Sequence, residues 1–513
     1  MRRIFKAQEY IAHEIFLYYS GGKHKDLSSM TEFSNTDIEQ IKNHGLMVDA
    51  VMAQMGDFVR GFPYADITAP ATVGNGIIEL TDADIARYAE KYTVAQTTKK
   101  IVKFVPASGA ATRMFRDLFE FLNTGTMNGV TRRVLDNLDK FAFWNDLKPF
   151  LPDNATDHDK IACILTNAGL DYGNLPKGLI AFHKYDNYSR TAVEEHLVEG
   201  AQYAATNGVV RIHFTVSPEH TAGFRAILAR VVPEYSARYG VKYDISMSNQ
   251  RASTDTIAVN PDNTLFRTDD GRLLFRPAGH GALIENLNDI DADIVFIKNI
   301  DNMTTDALRG DTIKYKRTLA GMLVELQSRA FEYLDNFAAH DLGEIRTFIK
   351  NDLCVRVPDD ANADALRAIL NRPIRVCGVV KNSGAPGGGP FWVRDENGTE
   401  SLQIVESSQI APDARGIMNA SSHFNPVDLV CGVRDAHGNK FDLTQFVDPK
   451  TGFISDKSSG GRALRAMERP GLWNGAMARW NTVFVAVPAS TFTPVKVVTD
   501  LLSPEHGNAQ TKK

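Results

Sequence analysis

Residues 276–303 read RPAGHGALIENLNDIDADIVFIKNIDNM, and this stretch decides the fold. It joins a glycine-bracketed loop, a short amphipathic helix and a strand at Asp293–Lys298 that ends in an acidic, amide-rich cluster. Ile294, Val295, Phe296 and Ile297 form an apolar run without alternation, which suits a strand covered by helices on both faces. Asn299, Asp301 and Asn302 follow at its C-terminal edge, where open α/β sheets place ligands. A carboxylate there can hold a divalent cation against phosphates. It can equally cap a helix beginning near Thr304, and both readings stand at this level.

Working outward, Lys100–Val105 (KIVKFV) predicts a second buried strand, followed by the small-residue loop Pro106–Met114 and a helix carrying Phe115, Leu118, Phe119 and Leu122 at helical spacing. Further helices are expected at Arg190–Ala205, with Val193, Leu197 and Ala201 on one face, and at His220–Tyr239, Thr312–Phe337 and Leu342–Asn351. Strands are expected at Val209–Val216, Arg375–Lys381, Phe391–Arg394, Leu402–Val405 and Val483–Val487. Helix starts at Asn35 and Thr81 flank a turn-rich connector, GFPYADITAPATVGNG. The alternation predicts an α/β fold with a Rossmann-like mixed central sheet flanked by helices, an N-terminal helical region and a strand-rich C-terminal extension. The expected division is a helical region at 1–98, an α/β core at 99–370 with a helical insertion at about 120–174, and a C-terminal part at 371–513. Residues 1–29 read as an upstream extension or a misassigned start, because Met30 opens a more ordinary beginning.

Composition narrows the classes. The chain has 513 residues, 43% hydrophobic and 23% charged, which is ordinary for a globular protein. A formal net charge of −5 with no basic block gives no support for nucleic-acid binding. No stretch approaches the roughly 20 apolar residues of a membrane span, and Gln8, Glu9, His13 and Glu14 interrupt any signal-peptide core, so a cytoplasmic location is expected. Cys163, Cys354, Cys377 and Cys431 lack metal-site spacing and sit among apolar neighbours, which predicts buried free thiols.

The loop after the first strand carries the second chemical signal. Gly109 with Ala107, Ser108, Ala110 and Ala111 lets backbone N–H groups close around a phosphate, and Arg113 adds a cationic fork. Such a loop can also be only a turn. GAPGGGPF at 384–391 lacks the GK[ST] ending of a Walker loop and reads as a hairpin or lid.

In order along the chain stand PASGAATRM (106–114), LPKGLI (175–180), RPAGHG (276–281), IVFIKNIDN (294–302) and TPVKVVTDLL (493–502). This set resembles the sugar nucleotidyltransferase superfamily, most closely its UDP-sugar pyrophosphorylase branch, and the fuller chain resembles an uncharacterised bacterial domain family related to that branch. The resemblance implies a GT-A/nucleotidyltransferase-like fold. It also implies a reaction joining a nucleoside triphosphate, with UTP favoured, to a sugar 1-phosphate or similar phosphorylated metabolite, releasing pyrophosphate and using Mg²⁺.

Roles follow by position. The resemblance puts Ser108, Gly109, Ala111, Thr112 and Arg113 on the triphosphate loop and Lys177 on the transferring group. Gln250 would read the base, Gly279 and Gly281 would let backbone approach it with His280 between them, and Asp301 would hold Mg²⁺. Glu406 and Asn425 would face sugar hydroxyls, and Lys496, on an expected strand, the sugar phosphate. Two departures stand out: Ser108 and Ala111 replace family glycines, and about sixty residues separate the loop from Lys177. A GT-A-like glycosyltransferase using a nucleotide sugar and a non-catalytic nucleotide or sugar-phosphate sensor are the alternatives.

Overall fold

A computed structural model describes residues 33–107, 111–382, 384, 387–424 and 428–507. The proposed extension at 1–29 and the site residues Ser108, Gly109 and Asn425 lie outside the described residues. The chain forms two compact units. The smaller comprises the described residues up to Tyr64 together with Arg251–Ile284 and Val447–Met477, and the larger comprises Ala65–Gln250, Glu285–Phe446 and the chain from Ala478.

The larger unit is built on a ten-stranded mixed sheet. Its strands are β1 (Thr72–Val73), β2 (Gly76–Ile78), β3 (Ile101–Pro106), β4 (Ala205–Thr206), β5 (Val209–Thr215), β6 (Lys242–Ser248), β7 (Ile294–Ile297), β8 (Ile374–Val379), β9 (Asp428–Gly432) and β10 (Asn481–Ala486). From one edge the order is β6-β5-β3-β7-β9-β8-β10-β2-β1, with β4 pairing the start of β5. All the strands along this path are parallel except β9, which runs antiparallel between β7 and β8. The chain leaves β3 for β5 and β6 on one side, then returns to lay β7 against the other side of β3. That reversal is a topological switch point, so the crevice beyond the carboxyl ends of β3 and β7 is where such a sheet takes ligands.

The apolar runs explain why these strands sit centrally. Every residue of β3 and β7 is buried. On one face, α1 (Asp82–Ala95), α2 (Ala192–Tyr203) and α3 (Gly310–Asp335) complete the core. Tyr88 and Tyr92 of α1 and Leu319 and Leu323 of α3 pack with Ile101, Phe296, Val376, Val430 and Val483. A side chain on Gly321 would stand 1.8 Å from the carbonyl of Tyr88, so α1 and α3 touch through backbone at that glycine. A second cluster joins β3, β5 and α2 to the short helices of 116–165, where Leu118, Phe141, Phe143 and Ile164 are buried.

The α/β class and the mixed, helix-flanked sheet thus agree with the sequence. Helix Leu342–Asn351 has the expected bounds, and the helix expected at Thr312–Phe337 runs Gly310–Asp335. All four cysteines are buried and free. Among the described residues no helix is long and apolar enough to cross a membrane. The connector between the first helices differs from expectation in carrying strands: Ile67–Pro70 pairs with Gly389–Arg394 in a separate four-stranded sheet, and β1 and β2 edge the central one.

In the smaller unit, helices Asn35–Asn43 and Val48–Arg60 bury Ile41, Val51, Met55 and Phe58 against Ile257, Val259, Leu273 and Met467. Asp37 closes a capping box with Ser34 and receives both Arg267 amines at 2.8 Å, which holds its pKa down at about 2. A hairpin pairs Phe453–Ser459 with Arg462–Glu468.

Candidate functional site

The loop after β3 is anchored at both ends. The Ala107 N–H donates to the Thr215 carbonyl at 2.9 Å, continuing the β3–β5 ladder, and Met114 and Phe115 are buried beneath. Between them Ala111–Arg113 form one tight turn with Ala111 buried and Thr112 and Arg113 exposed. The Ala111 N–H donates to the Leu175 carbonyl at 3.0 Å, tying the loop to the Pro-Lys turn despite the sixty residues between.

Lys177 opens a short turn, Lys177–Leu179. The next residue must be small, because a side chain on Gly178 would meet the Phe224 ring at 2.7 Å and Val193 at 3.2 Å. The Lys177 ammonium donates to Asp301 Oδ2 and to the Val495 carbonyl, each at 2.7 Å. The pair is about one-fifth exposed, so it faces solvent at the sheet's carboxyl edge. Asp301 is held there by extension of β7 along β3: Lys298 N–H donates to Phe104 O at 3.3 Å and Ile300 N–H to Pro106 O at 3.2 Å. The following turn at Asp306–Leu308 takes Thr305 as its first residue, so the helix-cap reading of Asp301 gives way to the ion pair.

The C-terminal segment completes this edge. Val495 N–H donates to Asp301 O at 3.0 Å, Thr493 N–H to Asn302 Oδ1 at 2.9 Å, and Thr493 Oγ1 to Met303 O at 2.8 Å. Lys496 is exposed beside it, its ammonium 5.4 and 5.8 Å from the Phe424 and Phe492 ring centres. The expected strand at Lys496 is corrected: only Pro494 makes an isolated bridge, to Asn302, and the chain here is strapped along 301–303 by single hydrogen bonds rather than a ladder.

The other expected residues fall in different surroundings. Gln250 follows β6 at the same carboxyl edge, two residues beyond Ser248. Glu406 follows the strand Glu400–Val405 of the four-stranded sheet and closes a capping box with Gln409. Gly279, His280 and Gly281 belong to the smaller unit. There Gly279 adopts φ +73°, a conformation that favours glycine, and a side chain on Gly281 would lie 2.1 Å from the Pro470 carbonyl, so packing within that unit requires Gly281. His280 is exposed, its ring centre 6.5 Å from that of Trp473 with the two planes near perpendicular.

Beneath the Lys177–Asp301 pair lies a group of charges that the sequence reading left unnoticed. Glu199 of α2 accepts Lys103 at 3.0 Å, Lys298 at 2.8 Å and the Tyr203 hydroxyl at 3.1 Å, all of them buried. Lys316 of α3 pairs with Asp428 of β9 at 2.7 Å nearby. Three lysines therefore crowd two carboxylates. Burial, with Lys298 and Lys316 adding to it against the pull of Glu199, brings Lys103 down to about 7. Burial pushes Glu199 the other way, but Lys103 and Lys298 overcome it and hold the carboxyl well below its ordinary range.

A metal could be held only sparsely here. No group of three or more histidine, cysteine, aspartate or glutamate side chains suited to a metal occurs among the described residues. A single carboxylate fits Mg²⁺ that arrives with phosphates, because that ion keeps several waters and takes only one or two protein carboxylates.

No curated protein matches the chain in sequence. The fold is similar to that of UDP-glucose pyrophosphorylase from Leishmania major, with 14% identity over 92% of this chain and 79% of that one and a TM-score of 0.45. It is also similar to the uridine diphosphate N-acetylglucosamine pyrophosphorylase from Trypanosoma brucei, with 13% identity, 96% and 83% coverage and a TM-score of 0.49. The inositol-1-phosphate CTP transferase from T. maritima shares 8% identity over 78% of this chain and 90% of its own, with a TM-score of 0.31. The family model described as domain of unknown function (DUF4301) matches residues 34–507, and the chain belongs to that family.

Proposed function

We propose that this protein is a nucleotidyltransferase that joins a nucleoside triphosphate, UTP in the first instance, to a sugar 1-phosphate or similar phosphorylated metabolite and releases pyrophosphate. The observation that carries this reading is the meeting of Lys177 and Asp301 at 2.7 Å, at the switch point of the sheet and beside the loop that follows β3. An ammonium and a carboxylate, each partly open to solvent and neither used to build the core, are what a phosphoryl-transfer site needs from its protein. The remaining work is alignment and charge neutralisation.

In this reading the sugar-phosphate oxygen attacks the α-phosphorus in line, the α–β phosphoanhydride bond breaks, and the leaving pyrophosphate carries the electron pair away. The loop after β3 receives the triphosphate, with Thr112 and Arg113 exposed at its end. Lys177 moves from Asp301 and Val495 to the phosphoryl oxygens, where it offsets the charge that grows in the transition state. Lys496, one residue beyond Val495, meets the incoming phosphate. Gln250 faces the base. Asp301, freed of Lys177, would hold Mg²⁺, which when bound would neutralise phosphate charge.

Replacing Asp301 with Asn tests the arrangement. The variant is expected to lose activity or to need far more Mg²⁺ for half-maximal rate. A Mg²⁺ titration identical to that of the native chain would put the metal elsewhere.

A further inference from the structure

The two groups of the proposed site come from turns 124 residues apart, yet one helix carries both. The turn bearing Lys177 packs through Gly178 against Val193 of α2, 3.2 Å from its Cβ position, and against Phe224 of the helix Thr221–Tyr239, at 2.7 Å. The segment bearing Asp301 is held by the polar side of the same helix at three successive points. Glu199 takes Lys298 at 2.8 Å, His196 Nε2 meets the Ile300 carbonyl at 3.3 Å, and Glu195 pairs with Arg309, which donates back to the Thr304 carbonyl at 3.0 Å. Lys103 of β3 locks the arrangement from below, reaching both Glu199 at 3.0 Å and the His196 carbonyl at 3.2 Å.

We propose that Glu199, clamped between Lys103 and Lys298, is a positioning residue that fixes the Lys177–Asp301 separation through α2. The inference rests on Lys177 and Asp301 being the phosphate-facing pair. A buried ion cluster is an expensive way to gain stability, since apolar side chains of similar volume commonly do as well or better. What such a cluster supplies instead is direction. Two lysines converging on one carboxylate fix the strand end that carries Asp301, whereas methionines in their place fill the volume without fixing the register.

The test separates positioning from folding. In the full chain without substrate, the acylation rate of the Lys177 amine is followed by peptide mass spectrometry and normalised to the exposed Lys242. The triple variant Lys103→Met, Glu199→Met, Lys298→Met is compared with the native chain after thermal unfolding has shown that it folds. Lys177 should react at least threefold faster in the variant, because it is no longer held against Asp301 and Val495. A folded variant whose Lys177 reacts less than threefold faster overturns the proposal. If the triple variant does not fold, Lys298→Met, which leaves Glu199 paired with Lys103, decides by the same threshold. Pyrophosphate release is assayed separately with nucleoside triphosphate and sugar 1-phosphate. A faster Lys177 alongside a native chain that releases no pyrophosphate would keep the positioning role and sink the nucleotidyltransferase reading. Where the native chain is active, turnover in the variant should drop at least tenfold with KM for the triphosphate changed less than threefold.

Discussion

Lys177–Asp301 and Lys103–Glu199–Lys298 are made of the same groups at nearly the same distances, 2.7 Å in the first and 2.8–3.0 Å in the second. The first is about one-fifth exposed and the second is sealed under the sheet. In water-facing surroundings an ion pair is weak and exchangeable, so its members are free to trade each other for a ligand's phosphates or cation. In the interior neither member can leave without abandoning a bare charge, so the pair becomes a fixed part of the frame. Burial, more than residue type, separates the pair proposed to act from the cluster proposed to hold it.

This contrast can be broken in several ways. The largest effect should come from removing the buried carboxylate alone: Glu199→Ala strands Lys298, takes away the pull that keeps Lys103 protonated, and should cost about 3–5 kcal/mol, read as a lowered denaturant midpoint. A midpoint near that of the native chain would mean water already reaches the cluster. Next, under the proposed reading, Lys177→Ala should lower turnover at least a hundredfold, about 2.7 kcal/mol in barrier, in a steady-state assay. Normal turnover would remove Lys177 from the chemistry.

A third test sharpens the contrast through pH. Lys103 has a folded-state pKa brought down to about 7, whereas in the unfolded chain it returns towards 10.5. Between those values the unfolded chain binds the extra proton, so this residue makes stability rise with pH across that window and weigh against folding below it. The native chain should therefore gain more between pH 7 and 10 than Lys103→Met does, measured as the difference in denaturant midpoints. Parallel pH curves would place Lys103 in a wetter setting. The smallest effect belongs to the exposed pair: Lys177→Ala should change stability by no more than about 1 kcal/mol.

The same contrast explains what the sequence disclosed. Continuous apolar runs exposed β3 and β7, and helical periodicity located α3 and Leu342–Asn351, because burial on a large scale leaves a pattern in the chain. β9 escaped because DLVCG is a short apolar run inserted antiparallel by contacts with strands far away in sequence. The hairpin at 453–468 escaped because its first strand is largely polar. For α2 the apolar face was legible in Val193 and Leu197, but nothing in the chain marked Glu195, His196 and Glu199, which are buried. Their partners, Lys103 and Lys298, lie on other strands, and no local spacing announces such a pairing. Lys177 and Asp301 were each singled out by motif; that they touch became visible only in the fold.

The most direct measurement of the central claim is pyrophosphate release with Mg²⁺, across the common nucleoside triphosphates crossed with a panel of sugar 1-phosphates, alongside Lys177→Ala. A nucleotidyltransferase working through Lys177 should give release that requires both substrates, is strongest with one base and one sugar, and falls at least a hundredfold in the variant. No release from any pair, with nucleotides still raising the unfolding temperature, would contradict it and leave a protein that binds nucleotides without joining them to a sugar phosphate.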